Sequence, residues 1–72
     1  MTDTEALKAL IKSKGLKYTF IAHELNLSLQ GFYYKLTNVR EFKPSEIVKL
    51  CELLDITSLK DKEQLFFKKK VD

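Results

Sequence analysis

Between positions 29 and 35 the chain reads LQGFYYK, which brings Leu29, Gln30, Tyr33, Tyr34 and Lys35 into one short stretch. On a helix whose inner side is Phe32 and Leu36, four residues apart, these five point outward, with Lys35 at the far end. Gln30 carries the paired donor and acceptor that can read an adenine edge, a contact worth about 1–3 kcal/mol of discrimination. Leu29, Tyr33 and Tyr34 suit a different chemistry. Aromatic groups are enriched and charges depleted at the centre of protein interfaces. Phe20, outside the apolar stripe of the preceding segment, extends such a surface if it folds near the tyrosines. Lys17, Arg40 and Lys43 flank it as candidate phosphate contacts, with solvated charge as the plainer reading.

Catalysis has no comparable foothold. A nucleophile with base and orienter, a glycine-rich phosphate loop and paired carboxylates in a pocket are all missing, so no enzyme is expected. Cys51 and His23 are each single, which excludes an internal disulfide and gives no metal-ligand spacing. Cys51 falls on an apolar helix face and reads as core; His23 points away from its stripe and reads as solvated. No cofactor or metal is expected.

The formal charge of +3 is weaker evidence for a nucleic-acid partner than its size suggests. Lys68, Lys69 and Lys70 supply three positive charges at the tail, and residues 1–67 hold ten basic and nine acidic side chains. Any affinity for phosphates therefore depends on placement, not on the total. The 72 residues leave room for one small core, burying about 60% of the unfolded surface. With 44% apolar and 32% charged residues the chain is globular, not disordered. It has no stretch long enough to cross a membrane and no basic-then-apolar leader, so a cytoplasmic location is expected.

Five helical segments position these residues. The first is expected over 4–14, opened by a Thr2/Glu5 capping box, buried through Leu7, Leu10 and Ile11, and ended by Gly15. The second starts at Lys17 or Tyr18 and closes near Leu25, with Ile21, Ala22 and Leu25 inward. Asn26 tolerates the left-handed backbone of a sharp turn, Leu27 sits in that turn, and Ser28 caps the third helix over 29–37. This is the pattern of a helix-turn-helix unit. Gly31 inside the third helix reads as tolerated, and Asn38 as a left-handed exit. Pro44 opens the fourth helix, where Ile47, Leu50, Cys51 and Leu54 recur at i, i+3, i+4 and i+7. Ser58 with Asp61 suggests a short helix or turn over 59–64. Residues 65–67 read as an extended or helical arm that packs one aromatic on the core and Lys68–Lys70 as a solvated tail, giving a domain over 1–64 and an arm and basic tail over 65–72.

The spacing of Leu16, Ile21, Ala22, Leu25, Asn26, Leu27, Ser28, Phe32 and Leu36, followed by Arg40, Glu41, Phe42 and the helix of Ile47 to Leu54, resembles the XRE/Cro-type helix-turn-helix family. The resemblance covers about residues 7–56. The ending LFFKKKV is similar to that of small lytic-side switch proteins of temperate phages of Gram-positive bacteria, of the Cro or modulator-of-repression kind. It implies an all-α, compact five-helix phage-repressor-like domain in the bacterial host cytoplasm. The partners it implies are operator DNA and/or the N-terminal domain of the cognate phage repressor. The sequence departs from the family at Tyr18, where glutamine is common, and at Leu29, Gly31 and Tyr33, where arginine, serine or threonine are common.

Three readings remain open: a Cro-like repressor with Gln30, Tyr33, Tyr34 and Lys35 in the major groove, an antirepressor that binds the repressor through Phe20, Leu29, Tyr33 and Tyr34, and a helical fold with no reading role. Val48, Leu53 or Phe66 and Phe67 are candidates for a homodimer interface.

Overall fold

Local capping chemistry sets most of the helix starts. The computed structural model describes residues 1–69 and contains α1 (Thr4–Ser13), α2 (Tyr18–Glu24), α3 (Leu29–Leu36), α4 (Pro44–Leu53) and α5 (Leu59–Phe66). No strand is present among the described residues, so the fold is all-α. Ser28 accepts the Gly31 amide at the head of α3, and Ser58 accepts the Asp61 amide at the head of α5. At α1 the expected Thr2/Glu5 box does not form. Asp3 is the N-cap and accepts the Ala6 amide. An ionised carboxylate at that position complements the positive helix end better than a hydroxyl does.

The turns between helices rest on left-handed residues. Gly15, Asn26 and Asn38 all have positive φ, as their types suggest, and Asp55 does the same between α4 and α5. Gly31 has a reason beyond tolerance: a Cβ there would stand 3.0 Å from the Ser28 hydroxyl that caps the helix.

α2 packs most closely on α3, α1 packs against α5, and α4 closes over α2. Leu7, Ile11, Ile21, Phe32, Leu36, Leu50 and Leu54 are fully buried at their centre. Each such side chain contributes about 1.5–3 kcal/mol by leaving water. A chain of edge-on and tilted rings, Tyr18 to Phe32 to Phe42 to Phe66, runs through this core from α2 to α5. No helix is long and apolar enough to cross a membrane among the described residues.

The C-terminal arm takes the helical form of the two expected, with Phe66 as the one aromatic packed on the core. Leu65 and Phe66 belong to α5 and are buried, so the helical domain extends past residue 64. The sequence stripe looked broken because α5 shows the core little more than these two side chains. Phe66 is thereby removed as a dimerisation residue, while Phe67 and Val48 stay exposed. Lys68 is held too, with its amide on the Met1 carbonyl and its ammonium 3.4 Å from Asp3. The expected tail position Lys70 lies outside the described residues.

The N-terminal segment ties the ends of α3 and α5 together. Asn38 accepts the Thr2 amide at 2.8 Å and donates to the Thr2 carbonyl at 2.9 Å, while the Asp3 amide donates to Leu65 at 2.7 Å. Asn38→Ala should cost about 2–3 kcal/mol, since it loses these bonds and strains a left-handed backbone; Asn38→Gly should cost about 1 kcal/mol less. Urea midpoints of the two variants measure the difference, and equal losses would remove the backbone from the account.

Burial pushes the Cys51 thiol above its ordinary range, with Lys62 pulling weakly the other way. The folded chain holds this proton to higher pH than the unfolded chain, so the site's stabilisation is full below the unfolded thiol's pKa and is lost as pH rises through the folded one. At neutral pH a thiol reagent should label Cys51 at least about tenfold more slowly in the folded chain than in denaturant, because thiolate and access are both lacking. Equal rates would contradict the burial.

Candidate functional site

The outward side of α3 is oriented by what its inward side must bury. Phe32, Lys35 and Leu36 face in, at i, i+3 and i+4. Leu29 and Tyr33 are left 48% and 45% exposed, a large apolar area for so short a helix. Gln30 is exposed beside them and Tyr34 is half-buried.

Lys35 is not part of that surface. Its ammonium lies 2.6 and 2.8 Å from the two carboxylate oxygens of Glu46 in the first turn of α4, and both side chains are nine-tenths buried. Position explains the correction: three residues after Phe32 and one before Leu36, Lys35 sits on the buried stripe, where its charge needs a partner. Glu46 also accepts the Lys43 amide at 2.8 Å, so one carboxylate serves both the pair and the start of α4. The Phe32, Lys35, Leu36 spacing was available in the sequence as a warning; the facing carboxylate was not.

The two tyrosines of α3 each carry a cation. Lys8 Nζ stands 5.9 Å from the centre of the Tyr33 ring, and the Arg40 guanidinium stands 5.9 Å from that of Tyr34. Arg40 is brought back by the turn after α3, where the Val39 and Arg40 amides both donate to the Tyr34 carbonyl. Lys8, on α1, escaped the sequence reading because only the packing of α1 beside α3 brings it there. Gln30 Nε2 donates to the Tyr34 hydroxyl at 2.7 Å, one helical turn away. A bidentate adenine contact requires this bond to be exchanged.

The remaining predicted residues are spread around the face. Phe20 on α2 is 45% exposed, and the close ring pairs among the described residues do not include it. Lys17 and Lys43 are exposed at the N-caps of α2 and α4, and Arg40 is exposed after α3. His23 is solvated, 3.7 Å from Glu24.

The arrangement therefore has an apolar and aromatic centre on α3, two ring-held cations beside it and separate lysines at its edges. No protein-family model, curated protein or solved structure matches this chain. The chemistry of the face has to be judged from its own residues. Aromatic rings with a polar tip and a stacked cation bury well against another protein. Base reading has Gln30 alone, already engaged.

The Lys35–Glu46 pair should separate a structural role from a surface role. Lys35→Ala leaves a buried carboxylate without its cation and should destabilise by about 3–5 kcal/mol, whereas Lys35→Met combined with Glu46→Gln should restore most of that stability. Thermal and urea unfolding of the two variants test this; an unaffected single variant would mean that the pair is solvated.

Proposed function

We propose that this chain is a regulator of a temperate-phage lysis–lysogeny switch, acting in the bacterial cytoplasm by binding a protein through the outward face of α3. The partner in this reading is the DNA-binding domain of the cognate repressor, and the chain is an antirepressor, not an enzyme. The observation that carries it is the composition of the face: Leu29 and Tyr33 are exposed while the one lysine of α3 is withdrawn into a buried pair. A centre of this kind gains by desolvation against a partner's apolar surface, and a few large aromatics dominate such contacts.

One observation favours a second reading, direct operator binding. Lys17, Arg40 and Lys43 are all exposed around α3, as phosphate contacts would require. Salt separates the two. Three phosphate contacts predict about a 40-fold loss of affinity between 50 and 200 mM salt, and an interface centred on tyrosine and leucine far less.

Titration of the purified chain against switch-region DNA and against the repressor's DNA-binding domain, at both salt concentrations, is the test. Repressor binding should change little with salt, Tyr33→Ala should weaken it at least about 30-fold, and Arg40→Ala less than tenfold. Tight, sequence-selective DNA binding at 200 mM salt with no effect on the repressor would replace this reading with the Cro-like one.

A further inference from the structure

We infer that the partner-binding surface does not end at α3 but continues over Lys8 into a groove between α1 and the start of α2, and that this groove takes an apolar side chain flanked by carboxylates on the partner protein. The inference rests on the reading of α3 as a protein-binding face and names the chemistry of what meets it.

The groove has a volume of about 430 Å³, and Lys8, Ala9, Lys12, Leu16 and Tyr18 line it. One side chain joins it to the α3 face, and a second contact fixes its far wall against the same helix. Lys8 lines the groove and lies over the Tyr33 ring. Tyr18, its opposite wall, packs edge-on against Phe32 at 5.7 Å, on the buried side of the same helix. A partner seated on Tyr33 therefore meets Lys8, the same side chain that lines the groove. Ala9 and Leu16 with the ring of Tyr18 form an apolar floor, and Ala9 is small enough to leave the space open.

Charge decides what flanks the inserted side chain. Lys8 and Lys12 lie one helical turn apart on the rim, and neither is in an ion pair among the described residues. Glu5 is the one acidic residue lining the groove, and Lys17, between the lining residues Leu16 and Tyr18 in the chain, is exposed. Lys14, Lys35, Lys49 and Lys68 are by contrast paired, with Asp55, Glu46, Glu24 and Asp3. The unmatched positive rim repels a basic DNA-reading helix and attracts carboxylates. The part of the repressor domain that enters the groove is thus an acidic segment with one apolar anchor.

The experiment is a calorimetric titration of the cognate repressor's amino-terminal domain with the native chain and with Ala9→Glu, Lys12→Glu and Tyr33→Ala. Ala9 and Lys12 are exposed on α1, and circular-dichroism melts check that both variants fold. Ala9→Glu and Lys12→Glu should each weaken binding at least tenfold. Changing the facing Asp or Glu of the repressor domain to Lys should recover at least tenfold for Lys12→Glu.

Native affinity for both groove variants alongside loss in Tyr33→Ala would overturn the groove and leave the α3 reading standing. Tighter binding by Lys12→Glu would overturn it as well, by placing basic groups there. Dissociation of a homodimer by Ala9→Glu in sedimentation, or weakening of DNA binding alone by Lys12→Glu, would assign the groove to a second copy or to DNA and reject the proposal. No binding by the native chain would reject both readings.

Discussion

A lysine and a glutamate that would ordinarily be solvated are joined in the interior, and the orientation of α3 depends on that pair. Lys35 and Glu46 meet at 2.6 Å with nine-tenths of each side chain buried. Two charges in such a site tolerate each other and little else, since either alone keeps a large desolvation cost. α3 is therefore held to one rotation against α4, with Phe32 and Leu36 beneath it and Leu29 and Tyr33 above. The same contact removes the cation that α3 would otherwise present. The apolar character of the outer face is in this sense a consequence of the polar contact inside.

Around that contact the ends of α3 are tied by short-range chemistry. Ser28 caps its start, and at its other end the Thr4 hydroxyl donates to the Leu36 carbonyl. Asn38, in a left-handed conformation, grips the Thr2 backbone from both sides. The turn this creates returns Arg40 over Tyr34. A face built on a capped helix with its ring positions already braced loses little conformational freedom when a partner arrives, which favours binding.

The same bracing bears on the choice between DNA and protein. Gln30 is bonded to Tyr34, and two cations lie on tyrosine rings, Lys8 on Tyr33 and Arg40 on Tyr34. These are arrangements of a surface satisfied within itself at its polar points and open at its apolar ones. Desolvating such a surface against another protein leaves few polar groups unpaired. Lys12 and Lys17, over α1 and the start of α2, carry no such commitment, and charge there selects what approaches more than it drives binding.

Much of the architecture was legible in the chain because it is encoded over short distances. The 3.6-residue spacing of Ile47, Leu50, Cys51 and Leu54, the Ser28 cap, the Pro44 start and the left-handed Asn26 and Asn38 each depend on neighbours a few residues away. The exposure of Leu29, Gln30 and Tyr33 followed from the same periodicity. Tertiary packing alone decided the rest. Lys35 went inside because α4 offered a carboxylate at the right depth, and Lys8 joined the α3 face because α1 packs beside it. Phe66, and not Phe67, is the aromatic of the last helix that entered the core, where its ring meets that of Phe42 nearly at right angles. In each case the deciding partner is remote in the chain. A residue's own type and near neighbours state what contact it needs, and only the folded arrangement supplies the group that meets it.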